Sequence, residues 1–164
     1  MTGSSRQHYK YLAAICCIFS VQSVTAAPVD CNASLVATLT SNLSFGDYVG
    51  TNGGTITVDT GGIRTATAGV ILMGGTVTAA TYTFSNVGKN CEKKWIHITS
   101  IPTSISISGP ASMTVNNFVT SVAGAGNKFK IKDTPTITIG ADLNTINSQA
   151  TGSYIGNFSI DFNY

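Results

Sequence analysis

The residues that could do chemistry in this sequence are few and scattered. The sharpest spacing is Asp59-Thr60-Gly61, which follows Ile56 and Val58. In an aspartic protease such a triplet sets one carboxylate beside a second, so that the pair shares a proton and serves as acid and base. A small retroviral-type protease would need one copy per subunit. The competing reading is a strand ending in a polar turn, with Asp and Gly chosen for turn geometry. Gly62 stands where those proteases carry Ala or Ser, and no apolar-Gly segment follows to brace the loop. Turn chemistry is the better reading. No catalytic residue is assigned, no enzymatic activity is expected, and the protease is kept only as an alternative.

His97 lies between Ile96 and Ile98, on the phase of Trp95, with no nucleophile or second ligand beside it. It reads as a strand residue. Lys128, Lys130 and Lys132 recur at every second position and would share one face of a strand. They could grip an anion. Such a row is more often a solvated face, or protection of an edge against unwanted pairing.

The N-terminus changes how charge and cysteines are read. Arg6 and Lys10 precede the uncharged, mostly apolar residues 11–21, and Val24-Thr25-Ala26 supplies small residues ahead of a cut after Ala26. That is the layout of a secretory signal peptide, and the apolar run is too short to span a bilayer. The expected organisation is therefore a signal peptide, residues 1–26, and one mature domain, residues 27–164, exported through a periplasm to the cell surface or beyond. Processing would leave seven basic and seven acidic residues, where the full chain carries +2. A neutral mature chain weakens nucleic-acid binding and lowers the repulsion that opposes self-association. Only Cys31 and Cys91 would remain. In an oxidising compartment the default is one disulfide between them, worth on the order of 4 kcal/mol in the chain-entropy model. Two free thiols are the alternative. Two cysteines and one histidine do not make a tetrahedral zinc site. No metal or cofactor is expected.

The elements that must position these residues are strands. Val29, Cys31, Ala33, Leu35, Ala37 and Leu39 alternate with more polar neighbours, as do Ile56 and Val58, Ile96 and Ile98, Ile105 and Ile107, Phe129 and Ile131, and Ile137 and Ile139. The chain ends on Tyr154, Gly156, Phe158, Ile160, Phe162 and Tyr164 in one phase. Strict alternation marks strands with one buried face, and Thr, Ile, Val and aromatic residues suit that pleat. Glycine-rich turns separate the runs, and no helical stripe is convincing. The expectation is an all-β, antiparallel sandwich of about nine or ten short strands. The sequons at Asn32, Asn42 and Asn157 fall inside predicted strands.

Leu43-Ser44-Phe45-Gly46-Asp47-Tyr48 near the mature start, Gly54-Thr55-Ile56-Thr57-Val58-Asp59, Met113-Thr114-Val115 and the closing Gly152-Ser153-Tyr154-Ile155-Gly156-Asn157-Phe158-Ser159-Ile160-Asp161-Phe162-Asn163-Tyr164 segment carry a resemblance. Together they resemble the bacterial domain-of-unknown-function family four-four-zero-two, itself similar to spore-coat-U-like proteins and archaic chaperone–usher fimbrial subunits. The resemblance implies an immunoglobulin-like sandwich and a structural or adhesive role in a fimbria-like surface structure. It implies assembly by strand addition, in which a neighbour's segment fills an open sheet edge and places alternate side chains in pockets. Val29, Ala33, Leu35, Ala37 and Leu39 are then the candidate donor strand. Tyr154, Phe158, Ile160, Phe162 and Tyr164 are the candidate C-terminal assembly strand, which resembles the strand that docks on a periplasmic chaperone. Implied partners are copies of the chain or related subunits, a chaperone and an outer-membrane usher. A disulfide within one chain would tether the donor segment and favour a self-complemented monomer that binds a ligand or matrix through its loops. A disulfide between subunits would lock a donated strand.

Overall fold

A computed structural model describes residues 35–85, 91–122 and 127–163. The expected signal peptide, together with Val29, Cys31, Ala33 and Tyr164, lies outside the described residues.

The chain forms β1 (Val36–Ser41), the short β2 (Ser44–Phe45) and β3 (Tyr48–Gly50), and then β4 (Asn52–Val58). β5 (Arg64–Ala66), β6 (Val70–Leu72), β7 (Val77–Thr78) and β8 (Ala80–Ser85) follow. After a 3-10 turn at Cys91–Lys93 come β9 (Ile96–Ser100), β10 (Ser104–Ser108) and β11 (Ser112–Thr120). β12 (Lys128–Phe129), β13 (Thr136–Asn147) and β14 (Asp161–Asn163) end the series. The large sheet runs β1-β8-β13-β11-β10, with β4 and β5 joined through β13. A smaller sheet runs β12-β9-β14, and β2–β7 and β3–β6 are two-stranded ladders. Every pairing between named strands is antiparallel. The fold is all-β, as the alternation predicts. The described residues hold fourteen strands, more than the nine or ten expected, because several two- and three-residue ladders read as turns in sequence.

β13 organises the large sheet. Its first residues, Thr136 to Ile139, pair with β8, and Ala141 to Asn147 pair with β4. Gly140 stands at the hand-over, where an added Cβ would lie 2.2 Å from the Val58 carbonyl oxygen. Only glycine tolerates that approach without a backbone shift. Beyond it the alternation continues with Ala141, Leu143 and Thr145 buried. On the opposite face Asp142 accepts hydrogen bonds from Thr57 Oγ1 (2.6 Å) and Asn117 Nδ2 (2.8 Å). Asn117 has φ +50° and sits where the β11–β13 register shifts, so a bulge aims its amide at Asp142.

Two apolar cores result. The first gathers Leu35, Phe84, Ile96, Ile98, Phe129, Ile137, Ile139 and Phe162, from the residue before β1, β8, the start of β13 and the smaller sheet. Phe162 packs edge-on against Phe84 at 5.1 Å and Tyr82 at 5.7 Å. The second gathers Ile56, Ile107, Met113, Val115, Ala141 and Leu143, from β4, β10, β11 and the far half of β13. Full burial of one such side chain contributes about 1.5–3 kcal/mol.

The C-terminal segment departs from expectation. It is not one alternating strand. Ile155 makes an isolated bridge to Ser108 on β10, and regular pairing resumes only in β14, against β9. The chain leaves β10 at Gly156, where a Cβ would meet Ile107 Cγ2 at 2.4 Å. Ile160 and Phe162 point into the first core, Phe158 packs on Phe118 at 5.1 Å, and Tyr154 packs against the second core. Asn42 and Asn157 also fall outside the strands and are exposed, contrary to expectation, while Asn32 is outside the described residues.

Candidate functional site

The segment Leu43 to Gly50 carries few side chains that explain its shape. Its backbone is held by Arg64, at the start of β5. Arg64 Nη1 donates to the Phe45 and Asp47 carbonyls at 2.8 and 3.0 Å, and Nη2 donates to the Met73 carbonyl at 2.6 Å. Two guanidinium nitrogens in one plane hold oxygens of two separate connections at once, a spread that a single ammonium nitrogen cannot match. Gly46 has φ +65°, and a Cβ there would meet Arg64 Nη1 at 2.6 Å, so this turn needs glycine for conformation and for space. Asp47 N to Gly74 O (3.0 Å) and Met73 N to Asp47 O (2.9 Å) fasten the same turn to the β6–β7 connection.

Held in this way, Leu43 to Gly50 forms one wall of a cleft of about 410 Å³. Residues 149–154 form the other wall, with Ile107 and Leu143 between them. Tyr154 Oη donates to the Ala150 carbonyl at 2.6 Å and accepts from Gln149 Nε2, which closes that wall on itself. Tyr48 Oη lies 3.4 Å from Met113 Sδ. Burial raises the Tyr48 pKa above its ordinary value, and Tyr154 nearby raises it further. The Tyr48 phenol therefore remains a neutral hydrogen-bonding group near neutral pH. The lining offers apolar contact, hydroxyl and amide groups and the exposed Asp47 carboxylate, and it includes no histidine, cysteine or lysine. That set suits binding of a small amphipathic group or a chain segment.

Two segments that carry the sequence resemblance, Leu43 to Tyr48 and Gly152 to Tyr154, thus face each other across this cleft. The family model for a domain of unknown function (DUF4402) matches residues 35–164. The chain belongs to this family. No curated protein and no solved structure matches it. In this DUF4402 chain the matched region opens at Leu35, the residue just before β1.

The other sequence-derived sites lie elsewhere. Asp59 caps the β4–β5 turn: its Oδ1 accepts from Gly61 N and Ile63 N, each at 2.8 Å. The triplet Asp59-Thr60-Gly61 is therefore committed to its own turn, the second of the two readings of that motif. Of the candidate donor strand, Leu35 is buried at 1% exposure, and Ala37 and Leu39 pack against the first core. Cys91 is fully buried and disulfide-bonded. His97 is exposed on β9, opposite Lys128 of β12. The three lysines do not share one strand: β12 ends at Phe129, and Lys132 lies in the following turn. Sequence reasoning missed Arg64 and Gln149 at the cleft, and the contact of Trp95 with Lys128 and Lys130 on the smaller sheet. Among the described residues no helix is long and apolar enough to cross a membrane, and no group of three metal-ligating side chains occurs.

Proposed function

We propose that this chain is an exported structural or adhesive subunit of a bacterial surface structure of pilus-like kind, assembling by β-strand addition. The placement of β1 carries the reading. β1 is the first strand described, it ends the order of the large sheet, and its paired neighbour is β8. Leu35, just ahead of it, and Ala37 and Leu39 supply apolar side chains to the first core, while Thr38 and Thr40 face solvent. A terminal edge strand with that pattern is the element a second copy can replace while remaking the same contacts, which is the logic of strand exchange. The resemblance to fimbrial subunits supports the same reading, with transit through the periplasm, a chaperone and an usher as partners, and the cell surface as destination. Deleting residues 27–39 tests it: polymer should be lost, and filaments that persist without the segment would exclude this mode of assembly.

A second reading is favoured by the cleft and by the pairing of β1 within its own chain. In it the subunit is self-complemented and monomeric, and the cleft between Leu43 to Gly50 and residues 149–154 takes a ligand. Mass measurement in solution with non-reducing gels separates the two. A strict monomer with an internal disulfide supports the second.

A further inference from the structure

The mature chain is expected to be neutral, yet its basic residues are not spread evenly. β9 and β12 pair with Lys128 opposite His97 and Phe129 opposite Ile96. Ile96 and Phe129 point into the core, so the alternate positions Trp95, His97 and Lys128 face outward. Trp95 keeps 48% of its surface exposed. The Lys130 ammonium lies 4.5 Å from its ring centroid and the Lys128 ammonium 5.1 Å. Lys93 and Lys94 immediately precede the indole and are exposed. Of the seven basic residues beyond residue 26, four therefore cluster on or beside this strand pair. Among the described residues, neither Lys128 nor Lys130 has a carboxylate partner. Asp161 lies on the other edge strand, β14, opposite Ser100, and Asp133 lies in the turn beyond Lys132.

We infer that this face binds an acidic polysaccharide. Two cations at an aromatic face draw their attraction from its negative quadrupole and hold the indole in place. With 48% of its surface exposed, the indole keeps apolar area beside the two ammonium groups for the C–H face of a sugar ring. The flanking ammonium groups then meet carboxylate or sulfate substituents on that ring or its neighbours. A bilayer is a poorer fit, because one indole among His97, Thr99 and Asn163 is too little apolar area to insert. Nucleic acid is a poorer fit, because the patch has one stacking platform and no arginine for bidentate phosphate contact. The inference does not rest on strand exchange at β1, since the face belongs to the smaller sheet and β1 to the larger.

Trp95 is the only tryptophan in the chain, so its fluorescence reports the site directly. The test titrates the mature protein with polygalacturonate, with neutral dextran, a single-stranded oligonucleotide and anionic phospholipid vesicles in parallel. A saturable change in emission with polygalacturonate, weakened by salt and absent with dextran, is the expected result. Lys128→Gln with Lys130→Gln should weaken binding to immobilised polygalacturonate about tenfold or more, with the melting temperature unchanged. Trp95→Ala should weaken it as well, read on the same immobilised polymer. Absence of any emission change, or unaltered binding in the double lysine variant, overturns the inference. Binding to the oligonucleotide or the vesicles without binding to polygalacturonate overturns it too, and assigns the face to that polyanion instead.

Discussion

Replacing Arg64 tests how the cleft is built. Its guanidinium donates to the carbonyls of Phe45, Asp47 and Met73, and nothing else among the described residues spans those three points. A hydrogen bond to a charged group contributes about 1.5–3 kcal/mol, and a buried carbonyl left unpaired costs about 1–3 kcal/mol. The Asp47 and Met73 bonds are exposed, so their carbonyls can turn to water, and only the part-buried Phe45 carbonyl bears the larger cost. For Arg64→Met we therefore expect a loss of about 2–4 kcal/mol. Arg64→Lys should lose about half as much, because an ammonium lacks the planar fork. Urea unfolding followed by far-ultraviolet circular dichroism gives the global figure. Hydrogen exchange gives the local one: the Asp47 and Met73 amides, bonded to Gly74 O and Asp47 O, should exchange faster in both variants. Arg64→Met within about 0.5 kcal/mol of the unmodified chain, with both amides still protected, would refute the clamp.

Three further outcomes follow from the packing. Gly140→Ala, which at an unstrained site would gain about 0.4–1 kcal/mol, should instead cost about 1–3 kcal/mol, because its Cβ meets the Val58 carbonyl; thermal melting reads the sign. Leu35→Ala should cost on the order of 2–5 kcal/mol while the exposed Thr38→Ala stays within about 0.5 kcal/mol, a contrast that equilibrium unfolding checks. Burial raises the pKa of Tyr48 and of Tyr82 in the folded chain, so the stability they contribute is complete below about pH 10 and is lost as pH rises through the folded values. The Tyr48→Phe and Tyr82→Phe variants should each lose less stability than the unmodified chain as pH rises above about 10, measured by denaturant midpoints.

The sequence shows some of this architecture clearly. Ile96 and Ile98, Ile137 and Ile139, and Ile56 and Val58 are all buried while the residues between them face away from the core, and alternation alone identifies them. β13 beyond Ile139 was hidden, because Gly140 interrupts the pattern and the outward positions Asp142 and Asn144 look like turn residues. Their polarity is explained only by the partners that β4 and β11 bring: Thr57, Asn117 and Asn116. The segment from Tyr154 to Phe162 alternates throughout, yet alternation does not reveal that the chain leaves one sheet for another at Gly156. Arg64 gave no signal because it reads carbonyl oxygens, which every residue carries. Trp95 and Lys130 were each visible, but only the β9–β12 register brings them together.

The most direct measurement is negative-stain microscopy, with mass determination in solution, of the full chain collected after export from the cells that make it. Strand exchange at β1 predicts filaments or higher oligomers built from this subunit. A population that is strictly monomeric at every concentration, with Cys91 bonded inside its own chain, would contradict it.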